Sequence, residues 1–388
     1  MPTATGLAAV SGDQQPIALL CSFSGAGGVE RMMAHLARGL LRQGERVDVV
    51  LVKAKGPHLE TLPLEARLVR LGDHHGSSLM PLLRYLHTSR PKVLLAAKHR
   101  GMVLAALSRL LGARTPLVGR LGTAPLASMA ARNPLWRFSQ RMTMRWAYDS
   151  LDAMVAVSHG VADELRAAMG SGKLPIMVLP NPVVTDAFLE AARIPCPHPW
   201  LEAAEPCLVA IGRLTPQKDI ATLLEAMAQL RCHRPVRLLV LGDGPLRAGL
   251  EQHSLALGLG DVVAFLGFSP NPAAFLARAS LFVLSSRWEG SPNALTEALA
   301  LGCPVVATDC PHGPRELLRD GALGRLVPVG AASAMAEAIL ATLDAAPHPS
   351  ALQQAAAPYH IDQASAAYHR LLVDVAAAAR RSPGQIRK

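Results

Sequence analysis

Aromatic residues are scarce in this chain: Phe, Trp and Tyr make up 4% of its 388 residues, against 50% hydrophobic residues overall. Any core must therefore be aliphatic, which suits sheets and helices packed through Val, Leu, Ile and Ala. Charged residues are only 18%, so a polyelectrolyte-like disordered chain is excluded. The six cysteines, Cys21, Cys196, Cys207, Cys232, Cys303 and Cys310, contain no C-x-x-C pair. That removes the usual zinc and dithiol-redox frameworks, and several of these cysteines lie in apolar strand-like runs, as free thiols of a reducing compartment do. No uninterrupted apolar run reaches the roughly 18 residues of a membrane-spanning helix. The N-terminus lacks the basic segment of a secretory signal. The expectation is a cytoplasmic protein, free or peripheral at the inner face of the cell membrane.

Acidic residues are short in one half only. Residues 1–180 hold 22 Lys and Arg against 11 Asp and Glu, whereas 181–388 hold 17 against 18. The whole net charge of +10 thus belongs to the N-terminal half. Such asymmetry fits either an anionic partner (a membrane surface, a phosphorylated lipid or nucleic acid) or a solvated arginine-rich face. No nucleic-acid recognition motif accompanies it, so no nucleic-acid partner is expected.

What is present is alternation. Short apolar runs at 17–23, 47–52, 67–71, 92–96, 116–120, 153–157 and 176–179 are separated by segments of helical spacing, such as 29–41 and 102–111. Fully apolar strands between helices predict a parallel sheet covered on both faces. The pattern fails near Pro195, Pro197, Pro199 and Pro206, then restarts at 207–211, 237–241, 262–266, 281–285, 304–308 and 326–329, with helices predicted over 220–230 and 295–301. The length suits two domains. They are predicted as 1–182 and 206–360, with a linker at 183–205. Residues 361–388 supply a helix, with Tyr368, Leu371, Leu372 and Val375 as its apolar stripe, and a basic tail. Two doubly wound, Rossmann-like domains joined by a hinge would face each other across a cleft.

Three motifs carry chemistry. Ser24-Gly25-Ala26-Gly27-Gly28-Val29-Glu30-Arg31 follows the first strand and opens the first helix. Its glycines let backbone N–H groups approach a phosphate or sugar, although the run is neither G-x-G-x-x-G nor a P-loop, and a plain tight turn explains it equally well. Gly212-Arg213-Leu214-Thr215-Pro216-Gln217-Lys218-Asp219 follows the first strand of the second domain. Arg213 and Lys218 are positioned to converge on a diphosphate, one by its fork and one as a compact charge; the alternative is a basic solvent loop. In Glu289-Gly290-Ser291-Pro292-Asn293-Ala294-Leu295-Thr296-Glu297, Pro292 suits the first helical position and Ser291 the N-cap. Free N–H groups there can hold a phosphate or hydroxyl, and each glutamate can accept from vicinal hydroxyls, or else face solvent.

Taken together, these motifs, the run Ala298 to Asp309 after the last of them, Val157-Ser158 before Gly160-Val161, Asn181-Pro182 and Gly242-Asp243-Gly244-Pro245 resemble the GT4-type (family 4) glycosyltransferases of the GT-B fold. The resemblance covers nearly the whole chain. The stretches Ser286 to Gly290 and Gly313-Pro314-Arg315-Glu316 look most like members that build bacterial surface polysaccharides such as lipopolysaccharide.

The resemblance implies a retaining hexosyltransferase that takes a hexose or N-acetylhexosamine from a nucleotide-diphosphate sugar, UDP by default, to a glycan or lipid-linked acceptor. It places Arg213 and Lys218 on the diphosphate, Glu297 on the ribose and Glu289 on the transferred sugar. Backbone N–H groups near Gly290, Pro292, Asn293 and Ala294 hold sugar and phosphate, the base lies near Gly267 and Phe268, and Gly27 and Gly28 close over the donor. No Asp-x-Asp motif is present, in keeping with a metal-independent enzyme needing no cofactor. This sequence departs from the pattern at Ser291, where an aromatic is common. It departs again after Pro116–Val118, where many relatives carry a histidine and this chain has Gly119-Arg120. Arg120 and His99 are therefore acceptor-side candidates or structural residues.

The segment from Arg132 to Tyr148 carries Arg137, Arg141 and Arg145 at i, i+4 spacing, interleaved with Trp136, Phe138, Met142 and Trp146. It fits either an anionic membrane surface or a helix whose aromatics pack on the sheet. Two other functions share the architecture: a non-hydrolysing sugar-nucleotide epimerase, and a non-catalytic membrane-associated partner of another transferase.

Overall fold

A computed structural model describes residues 15–23, 27–74, 76–123, 133–169, 174–195 and 198–381. Residues 24–26 of the glycine-rich loop, Arg132, Cys196, Pro197 and the tail beyond Arg381 lie outside these.

The N-terminal domain runs β1 (Ile17–Phe23), α1 (Gly28–Arg42), β2 (Val47–Ala54), β3 (Arg67–Arg70), α2 (Leu79–Ser89), β4 (Val93–Ala97), α3 (Lys98–Leu110), β5 (Leu117–Leu121), α4 (Pro134–Asp149), β6 (Ala153–Ala156), α5 (His159–Met169) and β7 (Ile176–Val178). Its described strands form one parallel sheet in the order β3-β2-β1-β4-β5-β6-β7. β1, β4 and β6 are buried almost throughout, as the unbroken apolar runs require.

The chain then passes through α6 (Asp186–Ala191) into β8 (Cys207–Ile211), α7 (Ile220–Leu230), β9 (Arg237–Leu241), α8 (Arg247–Ala256), β10 (Val263–Gly267), α9 (Pro272–Leu276), β11 (Leu281–Leu284), α10 (Asn293–Ala300), β12 (Val305–Thr308), α11 (Pro314–Leu317), β13 (Arg325–Val327), α12 (Ala332–Asp344), α13 (Pro349–Ala356) and α14 (Ile361–Arg381). These strands make a second parallel sheet in the order β10-β9-β8-β11-β12-β13. Each sheet has aliphatic clusters on both faces.

Two chain crossings lie side by side at the hinge. The N–H groups of Val183 and Val184 donate to the Tyr359 carbonyl at 3.0 and 3.1 Å, and Ile361 N–H donates to the Val184 carbonyl at 2.8 Å. Helix α14 then returns to the N-terminal domain, where Tyr368, Leu372 and Ala376 join the cluster under α1. Residues 183–205 are not bare linker. Thr185 caps α6 through Phe188 N–H, and Asn271 and Arg278 from the α9 region bond the carbonyls of Ala191 and Ala192.

In each sheet the winding direction reverses once, between β1 and β4 and between β8 and β11. Crevices at the carboxyl ends of strands open at such reversals. The three motifs follow β1, β8 and β11, so the topology places all of them at reversals.

Candidate active site

The loop after β8 and the loop after β11 are stitched together. Arg287 N–H donates to the Gln217 carbonyl at 2.8 Å, Gln217 Nε2 to the Trp288 carbonyl at 2.9 Å, and Ser285 Oγ to the Lys218 carbonyl at 2.8 Å. Asp219, held in the left-handed region at φ 44°, accepts from Thr222 Oγ1 and pairs with Arg287. This frame fixes Lys218 against Glu289: Nζ lies 2.5 Å from Oε1, and Ser286 Oγ donates to the same oxygen at 2.7 Å. Both partners are largely withdrawn from solvent. The two residues come from separate motifs, and the fold makes them one charged unit. Burial, with the Glu289 charge adding to it, pushes the neighbouring Cys310 thiol up to about 12, so it is inert as a nucleophile at neutral pH.

Gly290 sits where the two domains touch. It bridges Thr123, and a Cβ on it would come within 2.5 Å of the Gly122 carbonyl oxygen. Helix α10 starts one residue later than the sequence suggests. Pro292 is its N-cap, extended at φ −74°, ψ 100°, and Ser291 does not cap it. The Ser291 hydroxyl is buried with no hydrogen-bond partner, and the helix start keeps its free N–H groups around Asn293 and Ala294.

Glu297, one turn into α10 and 1% exposed, is paired with Arg31 from the first turn of α1, across the cleft. Burial raises its carboxyl above the usual carboxylate value, opposed by the Arg31 charge. Gly27 and Gly28 do face this site. A side chain on Gly27 would strike the Glu30 carboxylate and come 3.3 Å from Arg213 Nη2, and one on Gly28 would meet Asn293 Nδ2 at 3.0 Å. Glycine is needed here for space rather than for its backbone freedom, at Gly27 chiefly against Glu30 of its own domain and at Gly28 against Asn293 of the other. Gly267 ends β10 and Phe268 follows it. The Gly267 carbonyl accepts from Gly242 N–H at 2.7 Å, and Phe268 is half exposed.

The two acceptor-side candidates, Arg120 and His99, are engaged by other protein groups. Arg120 is 1% exposed, because its position on β5 turns it into the cluster beneath α14. Its Nη2 donates to Asn181 Oδ1 at 2.6 Å and its charge acts on the buried Tyr368 hydroxyl. Asn181 Nδ2 in turn donates to Asn293 Oδ1 at 3.0 Å, and Asn293 Nδ2 to the Gly28 carbonyl at 3.2 Å. Arg120 therefore braces the hinge instead of lining the open cleft. His99 packs edge-on against Tyr148 of α4, Nδ1 3.2 Å from its hydroxyl, and burial lowers its basicity. Arg31, Asn181 and Ser286 enter the site although the sequence pattern gave them no role. Each had a signal all the same, because all three lie inside motifs that carry the family resemblance.

The side chains interleaved with the arginines of α4 do not pack on the sheet. Met144, Ala147 and Tyr148 do so, while Phe138, Met142 and Trp146 are 66%, 52% and 40% exposed beside the exposed Arg141 and Arg145. Asp186, His360 and Asp362 cluster near the hinge, but Arg42 pairs with both carboxylates and fills the role a cation would have. No helix among the described residues is long and apolar enough to cross a membrane.

Residues 26–187 match the model of Glycosyltransferase Family 4, and residues 201–358 that of Glycosyl transferases group 1. An uncharacterized glycosyltransferase of Methanocaldococcus jannaschii is 32% identical over 180 residues, 46% of this chain and 44% of that protein. The chain thus spans less than half the length of that relative. The lipopolysaccharide core biosynthesis glycosyltransferase LpsE of Rhizobium meliloti is 27% identical over 82% of this chain and 86% of its own. An N-acetylgalactosaminyltransferase of Campylobacter jejuni, acting by its name on a diphospho-undecaprenol-linked sugar, is 28% identical over 63% of this chain and 65% of its own. Among solved structures, sucrose-phosphate synthase from Thermosynechococcus elongatus superposes with a TM-score of 0.79 at 19% identity, covering 94% of this chain and all of that one. Anabaena HepE in complex with UDP-glucose gives 0.76 at 20%, also over 94% of this chain and all of that one. These likenesses carry the fold. The two family models, end to end along most of the sequence, carry the membership: the chain belongs to the group 1, family 4 glycosyltransferases of the GT-B fold.

Proposed function

We propose that this glycosyltransferase moves a hexose or N-acetylhexosamine, with retention, from a nucleotide-diphosphate sugar to a glycan or lipid-linked acceptor of a bacterial surface polysaccharide. The observation that carries the reading is the Lys218–Glu289 unit, fixed by Ser286 at the reversal point of the second sheet. A cation there neutralises phosphate oxygens. A carboxylate beside it accepts from sugar hydroxyls, so one unit holds both sides of the bond to be broken. Arg213 supplies the second cation, and the N–H groups at the start of α10 supply neutral donors.

In the front-face course, the acceptor oxygen bonds to the anomeric carbon as the bond to the phosphate oxygen breaks, and that phosphate oxygen takes the acceptor proton. The protein's part is electrostatic: Arg213 and Lys218 stabilise charge growing on the diphosphate, with no metal needed. Glu297 serves the ribose, exchanging its bond to Arg31 for the vicinal diol, and Phe268 offers a face to the base. The names of LpsE and the Campylobacter enzyme, a lipopolysaccharide core transferase and a polyprenol-linked acceptor, support the choice of acceptor. HepE, solved with UDP-glucose, supports the choice of donor. The basic, aromatic face of α4 suits a headgroup surface where a lipid-linked acceptor is presented.

A panel of UDP- and GDP-sugars, read by thermal shift and by nucleotide release with EDTA present, tests this. One donor should stabilise the protein and release nucleotide when acceptor is added. No stabilisation by any of them rejects the reading. Interconversion of the free sugar nucleotide without an acceptor would instead identify an epimerase.

A further inference from the structure

Lys98 stands where the N-terminal sheet reverses its winding. Gly27 and Gly28 leave β1, Lys98 leaves β4, and the two strands are neighbours at the reversal. Lys98 opens α3 at φ 66°. That conformation is costly for a non-glycine residue, and such strain gathers at functional sites. Its Nζ lies 2.8 Å from Glu30 Oε1 and 3.5 Å from the Ser22 carbonyl oxygen. The lysine is 40% exposed, whereas Glu30 is 5% exposed. Glu30's other oxygen and Arg213 Nη2 press on the same point, the place a Gly27 side chain would occupy. One buried carboxylate is thus paired with Lys98 of its own domain and has Arg213 of the other domain close by.

We propose that Lys98 is a phosphate-binding residue on the N-terminal wall of the cleft, taking an oxygen of the nucleoside diphosphate opposite Arg213, with Glu30 as the internal anion that the phosphate competes against. The inference rests on the nucleotide-sugar reading above. An ammonium with three donors, one engaged by Glu30 and one weakly by a carbonyl, has capacity left for a phosphate oxygen. Closure of the domains would then complete the diphosphate site, since neither domain alone holds all its cations.

Titration calorimetry with UDP and GDP as probes tests it, on the wild type and on Lys98→Asn, Lys98→Arg, Glu30→Gln and Arg213→Ala. Asparagine tolerates the left-handed backbone, so Lys98→Asn isolates the charge. It should weaken the nucleotide that the wild type binds by about tenfold, the size of one charge-assisted hydrogen bond. Lys98→Arg should recover most of the loss, and Glu30→Gln should bind at least as tightly as wild type. If Lys98 merely neutralises Glu30, then either Lys98→Asn binds normally or Glu30→Gln loses as much as it does; each result overturns the inference. Should Lys98→Asn not fold, Lys98→Gly makes the same comparison. A wild type that binds neither probe removes the nucleotide-sugar reading, and this inference with it. Normal binding that falls in Arg213→Ala but not in the Lys98 variants removes this inference alone.

Discussion

Lys218 and Glu289 compensate each other's charge, so each variant has two consequences. Lys218→Ala removes a diphosphate cation and also frees Glu289, whose carboxylate then repels the leaving group. Glu289→Gln leaves Lys218 in place but loses the carboxylate acceptor. Both should lower kcat/KM by about 10²–10³, with the larger loss in Lys218→Ala, as measured by initial-rate release of nucleotide. Equal activity of either variant and wild type would contradict the roles given to the pair. Glu297 gives a pH-dependent test. Its folded carboxyl lies above the usual value because of burial. Its ionised form is thus disfavoured in the fold, and the wild type loses stability as pH rises through that folded value. Glu297→Gln removes the dependence. Its melting temperature should gain on wild type as pH rises above the ordinary glutamate value of 4.5, while its nucleotide affinity falls. A gap between the two proteins that does not change with pH would show that Arg31 fully offsets the burial.

At the scale of elements, strands were the most legible feature of the sequence. β8, β9 and the helix α7 fall where the pattern puts them, because burial on both faces demands unbroken apolar runs. Helix starts were less legible. α3 begins at Lys98, inside a basic triplet with no cap signal, and α10 is capped by Pro292 backbone geometry rather than by the Ser291 side chain. The exposure of α4 was not legible either, since amphipathic spacing alone does not say which side meets the sheet. Its arginines lead to a clear expectation. Replacing Arg137, Arg141 and Arg145 with Ala should weaken sedimentation with vesicles containing anionic lipid by about a hundredfold, at about 1 kcal/mol per charge. Binding to neutral vesicles should change little. Unaltered binding to anionic vesicles would leave that face to another partner. Helix α1 adds an acid-sensitive point. His35 is partly buried with Nδ1 2.9 Å from the Pro182 carbonyl oxygen, and burial lowers its pKa to about 4. A depressed histidine stabilises the fold above the ordinary value of about 6.5. That contribution, up to about 3 kcal/mol, is lost as pH falls towards 4. His35→Gln should flatten this part of the unfolding profile in urea.

At the scale of the whole molecule, the two domains are joined by bonds between residues far apart in sequence, which no periodicity reveals. Arg31–Glu297 and Asn181–Asn293 close the donor side. On the other side, both oxygens of Glu316 accept from the N–H groups of His159 and Gly160 at 2.8 Å, at the start of α5, and His312 meets Glu164 at 2.6 Å. The motif holding Glu316 was legible as part of the family resemblance, but its partner was not, because the contact depends on how two separately folded sheets are set against each other. The arrangement makes a mechanical claim. Glu316 touches no part of the proposed donor site, yet it holds the helix start that the second domain closes upon, with the helix dipole adding to its hydrogen bonds. Glu316→Ala should therefore open the cleft without disturbing either core. Small-angle scattering should give a larger radius of gyration than wild type, and saturating UDP should bring the two values together, since ligand contacts across the cleft replace the lost bond. Kinetically, the closed population would shrink before donor binds, so the apparent KM should rise several-fold while kcat stays close to wild type. A fall in kcat with unchanged KM would mean that Glu316 acts on the reacting groups themselves, and an unchanged radius would mean that Arg31, Asn181 and the hinge hold the closed form alone.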